Sequence, residues 1–211
     1  VNSINLLIER NRFDAAEKLL NQLVHVYPST SWASSYDANP EINQLKSQIA
    51  KRRALKEFNN LSEKIVSADK AKDLTALKEL GEVVTRFSYN ESEPFHRLGN
   101  LISDKETKLT LYQKAISIDH HLWAYVNSIN LLIEQNKFDS AEELLNQLIQ
   151  TYPSTSWASS HDPKPEINQL KSQITKRRAI KELNNLSEKI VSADKAKDLT
   201  ALKELGEVVT Q

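Results

Sequence analysis

The sequence predicts an all-α protein, an α-solenoid of antiparallel helix pairs, and three observations carry that reading. The first is internal repetition. Residues 1–85 return at 126–210, and the aligned stretches 1–86 and 126–211 differ at 14 of 86 positions. A unit of 125 residues is thus present about 1.7 times. The second is periodicity: apolar residues recur every three or four positions, and no segment alternates with period two. The third is the scarcity of turn residues, with 3 Gly and 6 Pro, too few for a chain of strands and tight turns. Helix pairs joined by short turns and repeated along a chain stack into a solenoid. The domain reading is one solenoid over 1–211, with copy one at 1–86, intervening helix pairs at 87–125 and copy two at 126–211. The chain opens on Val1 and has no Met, which reads as a piece of a longer protein.

The elements follow in order. In copy two, Leu122, Tyr125, Ile129, Leu132 and Ile133 line one helix face. Asn136-Lys137-Phe138 breaks it, and Asp139 reads as an N-cap with Glu142 three residues on. Ala141, Leu144, Leu145, Leu148 and Ile149 form the next stripe, which Pro153 stops. Copy one repeats this with Asp14, Ala16, Glu17, Leu19, Leu20, Leu23 and Pro28. A Ser-rich stretch with Trp32 follows, and Pro40 and Glu41 suit the first turn of a new helix. Ile42, Leu45, Ile49, Leu55, Phe58, Leu61 and Ile65 carry that helix to about Ala68, with a turn predicted at 69–73. Asp73 then caps a helix bearing Leu74, Leu77, Leu80, Val83, Val84 and Phe87. Two middle helices are expected, Pro94–Ile102 and Asp104–Asp119, with Ser103 and Glu106 as a capping box. Between copies, apolar positions exchange like for like (Val24/Ile149, Leu55/Ile180, Phe58/Leu183), while Arg10/Gln135 and Lys18/Glu143 change charge. That is a buried face kept apolar beside a solvated face left to drift.

On these residues, 122–155 resembles a 34-residue tetratricopeptide repeat: Tyr125 at position four, Leu132 at eleven, Ala141 at twenty, Leu145 at twenty-four and Pro153 at thirty-two. Ala16, Leu20 and Pro28 match in copy one. Leu98-Gly99-Asn100 followed by residues 112–119 is similar, with the turn shortened by about three residues. Ile129 replaces the small residue usual at position eight, His120 stands in place of a Pro, and residues 29–87 depart from the motif because their first helix is too long. The resemblance implies a concave groove lined by the first helices of successive repeats and receiving a peptide. Its groove-facing positions here are His96, Arg97 and Asn100 in one repeat, Trp123, Asn127 and Asn130 in the next, and Asn2 and Asn5 in copy one. The family's carboxylate clamp pairs such Asn residues with a Lys at position five. Val126 and His96 occupy that position here, so the cation is missing.

Charge and composition exclude several chemistries. With 28 basic and 28 acidic side chains the chain is neutral, which argues against a nucleic-acid binder held by bulk electrostatics. Without Cys there is neither a disulfide scaffold nor a thiolate metal site. Cytosol and periplasm both suit such a chain, and the cytosol is the expectation. No apolar run is long enough to span a membrane. The histidines (25, 96, 120, 121 and 161) show no zinc-type spacing, since His120 and His121 are adjacent and point roughly 100° apart on a helix. No phosphate loop and no nucleophile elbow is present. The sequence therefore assigns no catalytic residue, no metal and no cofactor. The triplets Lys51-Arg52-Arg53 and Lys176-Arg177-Arg178 are the one basic patch, without the interleaved aromatics that single-stranded nucleic acid requires. Trp32 and Trp157 sit in an unchanged Ser-rich connection and read as closing it against neighbouring helices.

The leading expectation is a scaffold that binds a protein or peptide in its groove. The alternatives are a substrate-holding or assembly region of a larger glycosyl-, sulfo- or methyltransferase, and a self-associating array. Self-association is expected at the open solenoid ends, through Leu6, Leu7, Leu205 and Val208.

Overall fold

The computed structural model describes residues 1–30, 37–155, 158, 161–196, 200 and 204. Among the described residues there is no strand. The chain is an all-α helical-repeat fold that divides into two compact units, residues 1–90 and 91–211.

In the first unit α1 (Asn2–Glu9) and α2 (Phe13–Val26) form a hairpin. Its turn is a Schellman motif: Asn11 adopts φ 55°, its N–H donates to Ile8 O and the Arg12 N–H donates to Leu7 O. Asn is among the few side chains that tolerate this left-handed position. A 3₁₀ turn at Tyr27–Ser29, containing Pro28, follows α2. The long helix α3 (Asn39–Ala71) begins with Pro40 and Glu41 in its first turn. Its 33 residues span about 50 Å, and its two halves have separate neighbours. Ile42, Leu45 and Ile49 join Ile4, Ile8, Phe13, Ala16 and Leu20 in one core cluster. Farther along, Phe58, Leu61, Ile65 and Ala68 are buried where α4 (Leu74–Arg86) packs on α3 with Leu77, Gly81 and Val84. Phe58 also stacks on Tyr89 at 5.6 Å between ring centroids.

Two local expectations are corrected here. The turn expected at 69–73 is shorter, because α3 runs to Ala71 and Lys72 takes φ 55°, so that Asp73 N–H reaches back to Ala68 O. Asp73 caps α4 as expected, its Oδ1 accepting from Ala76 N–H at 2.9 Å. Asp14 does not cap α2. It lies inside the first turn, behind an Arg12 N-cap, and its carboxylate turns to Arg53 instead.

The second unit stacks α5 (Glu93–Leu101), α6 (Lys105–Asp119), α7 (Leu122–Glu134), α8 (Phe138–Thr151) and α9 (Lys164–Ala196). Each helix packs on the next, and α9 also meets α7. The core is built from Phe95, Leu98, Leu111, Ala115, Tyr125, Ile129, Ala141, Leu145 and Leu148. Ile129 is fully buried where the repeat family places a small residue, and His120 ends α6 in the left-handed region at φ 56°. Gly99 lies directly against the Tyr112 ring. Asp104, not Ser103, caps α6: the backbone is extended at Asp104, and its Oδ2 accepts from Thr107 N–H at 2.8 Å. Asp139 repeats the behaviour of Asp14, since Lys137 is the N-cap of α8. Helices α8 and α9 reproduce the bounds of α2 and α3 at the 125-residue offset. Trp32, Trp157, Leu205 and Val208 lie outside the described residues, while Leu6 is exposed and Leu7 half-buried.

Candidate functional site

Three of the sequence-predicted candidates in the second unit, His96, Asn100 and Asn127, meet in the structure. On α5, Glu93, His96, Arg97 and Asn100 share a face through their three- and four-residue spacing. On α7, Trp123, Asn127 and Asn130 do the same. Side chains join the two helices. The Asn127 amide donates to His96 Nε2 and to Asn100 Oδ1, each at 3.1 Å. From α6 behind them, the Tyr112 hydroxyl donates to Asn100 Oδ1 at 2.8 Å. Gly99 permits this, because any Cβ there would meet the Tyr112 ring. Burial pushes the Tyr112 phenol upward. It also holds the His96 imidazole below the usual histidine range, with the neighbouring His121 acting in the same direction.

The edges of this face are neutralised by ion pairs. Arg97 Nε donates to Glu93 Oε1 at 2.6 Å, and this bond, with that from His121, lowers the Glu93 carboxyl. Lys105 meets Glu134 at 3.4 Å. Trp123 remains about half exposed, its ring 6.1 Å from that of His161. Asn130 is half-buried one turn beyond Asn127. In the first unit, Asn2 is exposed and Asn5 half-buried on α1.

The basic triplets separate by helix geometry. Arg53 turns inward and its Nη2 donates to Asp14 and Glu17, both at 2.9 Å, the Glu17 bond raising the guanidinium pKa further. Arg178 makes the same two bonds to Asp139 and Glu142. These arginines lock α3 to α2 and α9 to α8. Lys51 and Arg52 border a cleft of about 340 Å³ with Asn5, Ile8, Glu9 and Gln48. Lys176 and Arg177 are exposed.

Linear spacing left one constellation unjoined. Glu93, His96 and His121 each offer a donor atom, and the three atoms lie within 4.8 Å of one another. The signal was the Glu93-x-x-His96 spacing on one helix turn. His121 enters only through folding, from the N-cap of α7, where its Nδ1 accepts from Ala124 N–H at 3.3 Å.

Residues 123–155 match the tetratricopeptide repeat family model. The matched span is α7, α8 and the 3₁₀ turn that follows. Its signature positions Tyr125, Leu132, Ala141 and Leu145 are all buried. No curated protein and no solved structure gives a significant match. The class is therefore a tetratricopeptide-like helical repeat, and repeats of this family generally mediate protein–protein interaction as non-enzymatic scaffolds. Among the described residues, no helix is long and apolar enough to cross a membrane.

Proposed function

We propose that the chain is an interaction scaffold that receives an extended, uncharged peptide segment across the face built by α5 and α7. One observation carries this reading: Asn100, Asn127 and Asn130 form a ladder on two neighbouring first helices, with the half-exposed Trp123 one turn away. A side-chain amide offers one donor and one acceptor group, the same pair as a peptide unit, so such a ladder suits a peptide backbone in extended conformation. The Asn130 side chain has no hydrogen-bond partner among the described residues and is the free rung. The aromatic face of Trp123 supplies the apolar anchor that a peptide side chain requires. The pairing of Arg97 with Glu93 and of Lys105 with Glu134 removes the charge that would select an acidic ligand or a C-terminal carboxylate.

Panning a displayed library of linear peptides against the chain tests this. Selected peptides are expected to protect α5 and α7 in hydrogen–deuterium exchange and to weaken about tenfold or more with Asn130→Ala and Trp123→Ala, the loss typical of an anchor residue. Peptides that bind both variants as tightly as the parent chain, or that protect only α8 and α9, would overturn the reading.

A further inference from the structure

We propose that Glu93, His96 and His121 form a binding site for a divalent cation of the zinc type, joining the first turn of α5 to the N-cap of α7. The three donor atoms lie within 4.8 Å of one another. His121 Nε2 lies 2.8 Å from Glu93 Oε2, and His96 Nδ1 lies 3.8 Å from the same oxygen. The two imidazole rings are 4.6 Å apart between centroids. Ligands about 2.1 Å from a tetrahedral ion stand about 3.4 Å from each other; the two separations to Glu93 straddle that value, and the histidine donors, within 4.8 Å of each other, close on it by side-chain rotation of at most about 1.4 Å. Two nitrogens and one carboxylate oxygen favour zinc, cobalt, nickel or copper over magnesium and calcium, which take oxygen donors.

A second observation points to a ligand. His96 Nδ1 is buried with no hydrogen-bond partner among the described residues, on a side chain only 12% exposed, and it stands 3.8 Å from Glu93 Oε2. A buried polar atom without a partner costs free energy, and an ion would satisfy it. The surroundings also orient the carboxylate. Arg97 occupies Glu93 Oε1, which leaves Oε2 to face both histidines.

Binding requires that each imidazole present its lone pair to the ion and carry its proton on the other nitrogen. For His96 the proton moves from Nδ1 to Nε2. Rotating the Asn127 amide then turns its Oδ1 to accept that proton, and Asn100 and the Tyr112 hydroxyl reverse their roles in the same chain of bonds. For His121 the proton moves from Nε2 to Nδ1. That gives up the cap bond from Ala124 N–H, which keeps its backbone bond to His121 O at 3.1 Å. Each change is a shift of tautomer within one imidazole, and water fills the remaining coordination positions. Both helix N-termini oppose a cation; the Glu93 carboxylate offsets this.

The test is titration of the full 211-residue chain, stripped with a chelator, with Zn²⁺ and Co²⁺ alone as probes. Binding of one Zn²⁺ per chain and a melting temperature that rises with Zn²⁺ concentration are expected. Visible Co²⁺ bands of a four- or five-coordinate nitrogen–oxygen site are expected as well. Affinity should fall at least about 100-fold in Glu93→Gln and in His121→Asn, where Asn retains the capping acceptor, and should not change in His161→Gln. Should a variant fold poorly, the parent chain still decides: Zn²⁺ should shift the ring nitrogens of His96 and His121 in long-range ¹H–¹⁵N spectra. No binding tighter than about 100 µM, equal affinity in His121→Asn, or shifts confined to His25, His120 or His161 would overturn the proposal.

Discussion

Two glycines in helices should respond to the same substitution with opposite signs. Gly81 lies in α4 and Gly99 in α5, and both are buried. Replacing a helical Gly by Ala removes backbone freedom from the unfolded chain and stabilises by about 1 kcal/mol where space permits. At Gly81 no atom beyond its chain neighbours and the local helix backbone lies within 4 Å of the new Cβ, so Gly81→Ala should stabilise the first unit by close to that amount. At Gly99 the Cβ would stand 2.5 Å from Tyr112 Cε1 and 2.8 Å from Cδ1. Carbon atoms rest about 3.5–4.0 Å apart, so the ring must retreat by about 1 Å. It has little room, being 3% exposed and tied through its hydroxyl to Asn100. Overpacking of this kind costs about 1–3 kcal/mol, and subtracting the propensity gain leaves Gly99→Ala destabilised by up to about 2 kcal/mol. Urea unfolding followed by far-UV circular dichroism reads both variants. A midpoint raised by Gly99→Ala as much as by Gly81→Ala would refute the close contact, and with it the placement of Tyr112 behind the asparagine ladder.

The arginine clamps predict a small effect that recurs in both copies: a double-mutant cycle with Arg53→Met and Glu17→Gln should return a few tenths to about 1 kcal/mol, as the pair is partly exposed, and Arg178 with Glu142 should match it. Unequal couplings would separate the two copies. Ala141 is fully buried between helices, so Ala141→Leu should destabilise the second unit by about 1–3 kcal/mol in the same unfolding assay; an unchanged midpoint would place that side chain elsewhere. Burial raises the Tyr125 phenol above its ordinary value of about 10, so its stabilising contribution is complete below that pH and lost as the pH climbs through the folded-state value. The urea midpoint should therefore fall in alkaline solution, and less steeply in Tyr125→Phe; identical slopes would show the hydroxyl to be solvated.

Periodicity and duplication determined the helices on their own. A stripe of apolar side chains every three or four residues can bury itself only as a helix face, and a sequence repeated with 14 changes of mostly solvated groups repeats its helix bounds. Part of the candidate site was legible for a related reason: residues at three- and four-residue spacing share a helix face, and three of the residues so chosen, His96, Asn100 and Asn127, meet across α5 and α7. Helix ends were less legible, because several short polar residues compete to cap. Asp104 displaced Ser103, and Asp14 and Asp139 were drawn to arginines 39 residues away. The same arginines sat in basic triplets that looked like a patch until packing turned one member of each inward. What only the tertiary structure decided is the meeting of Glu93, His96 and His121. Local spacing constrains neighbours on one helix, but the approach of His121 depends on how α5 and α7 pack with α6, a distance that no linear pattern encodes.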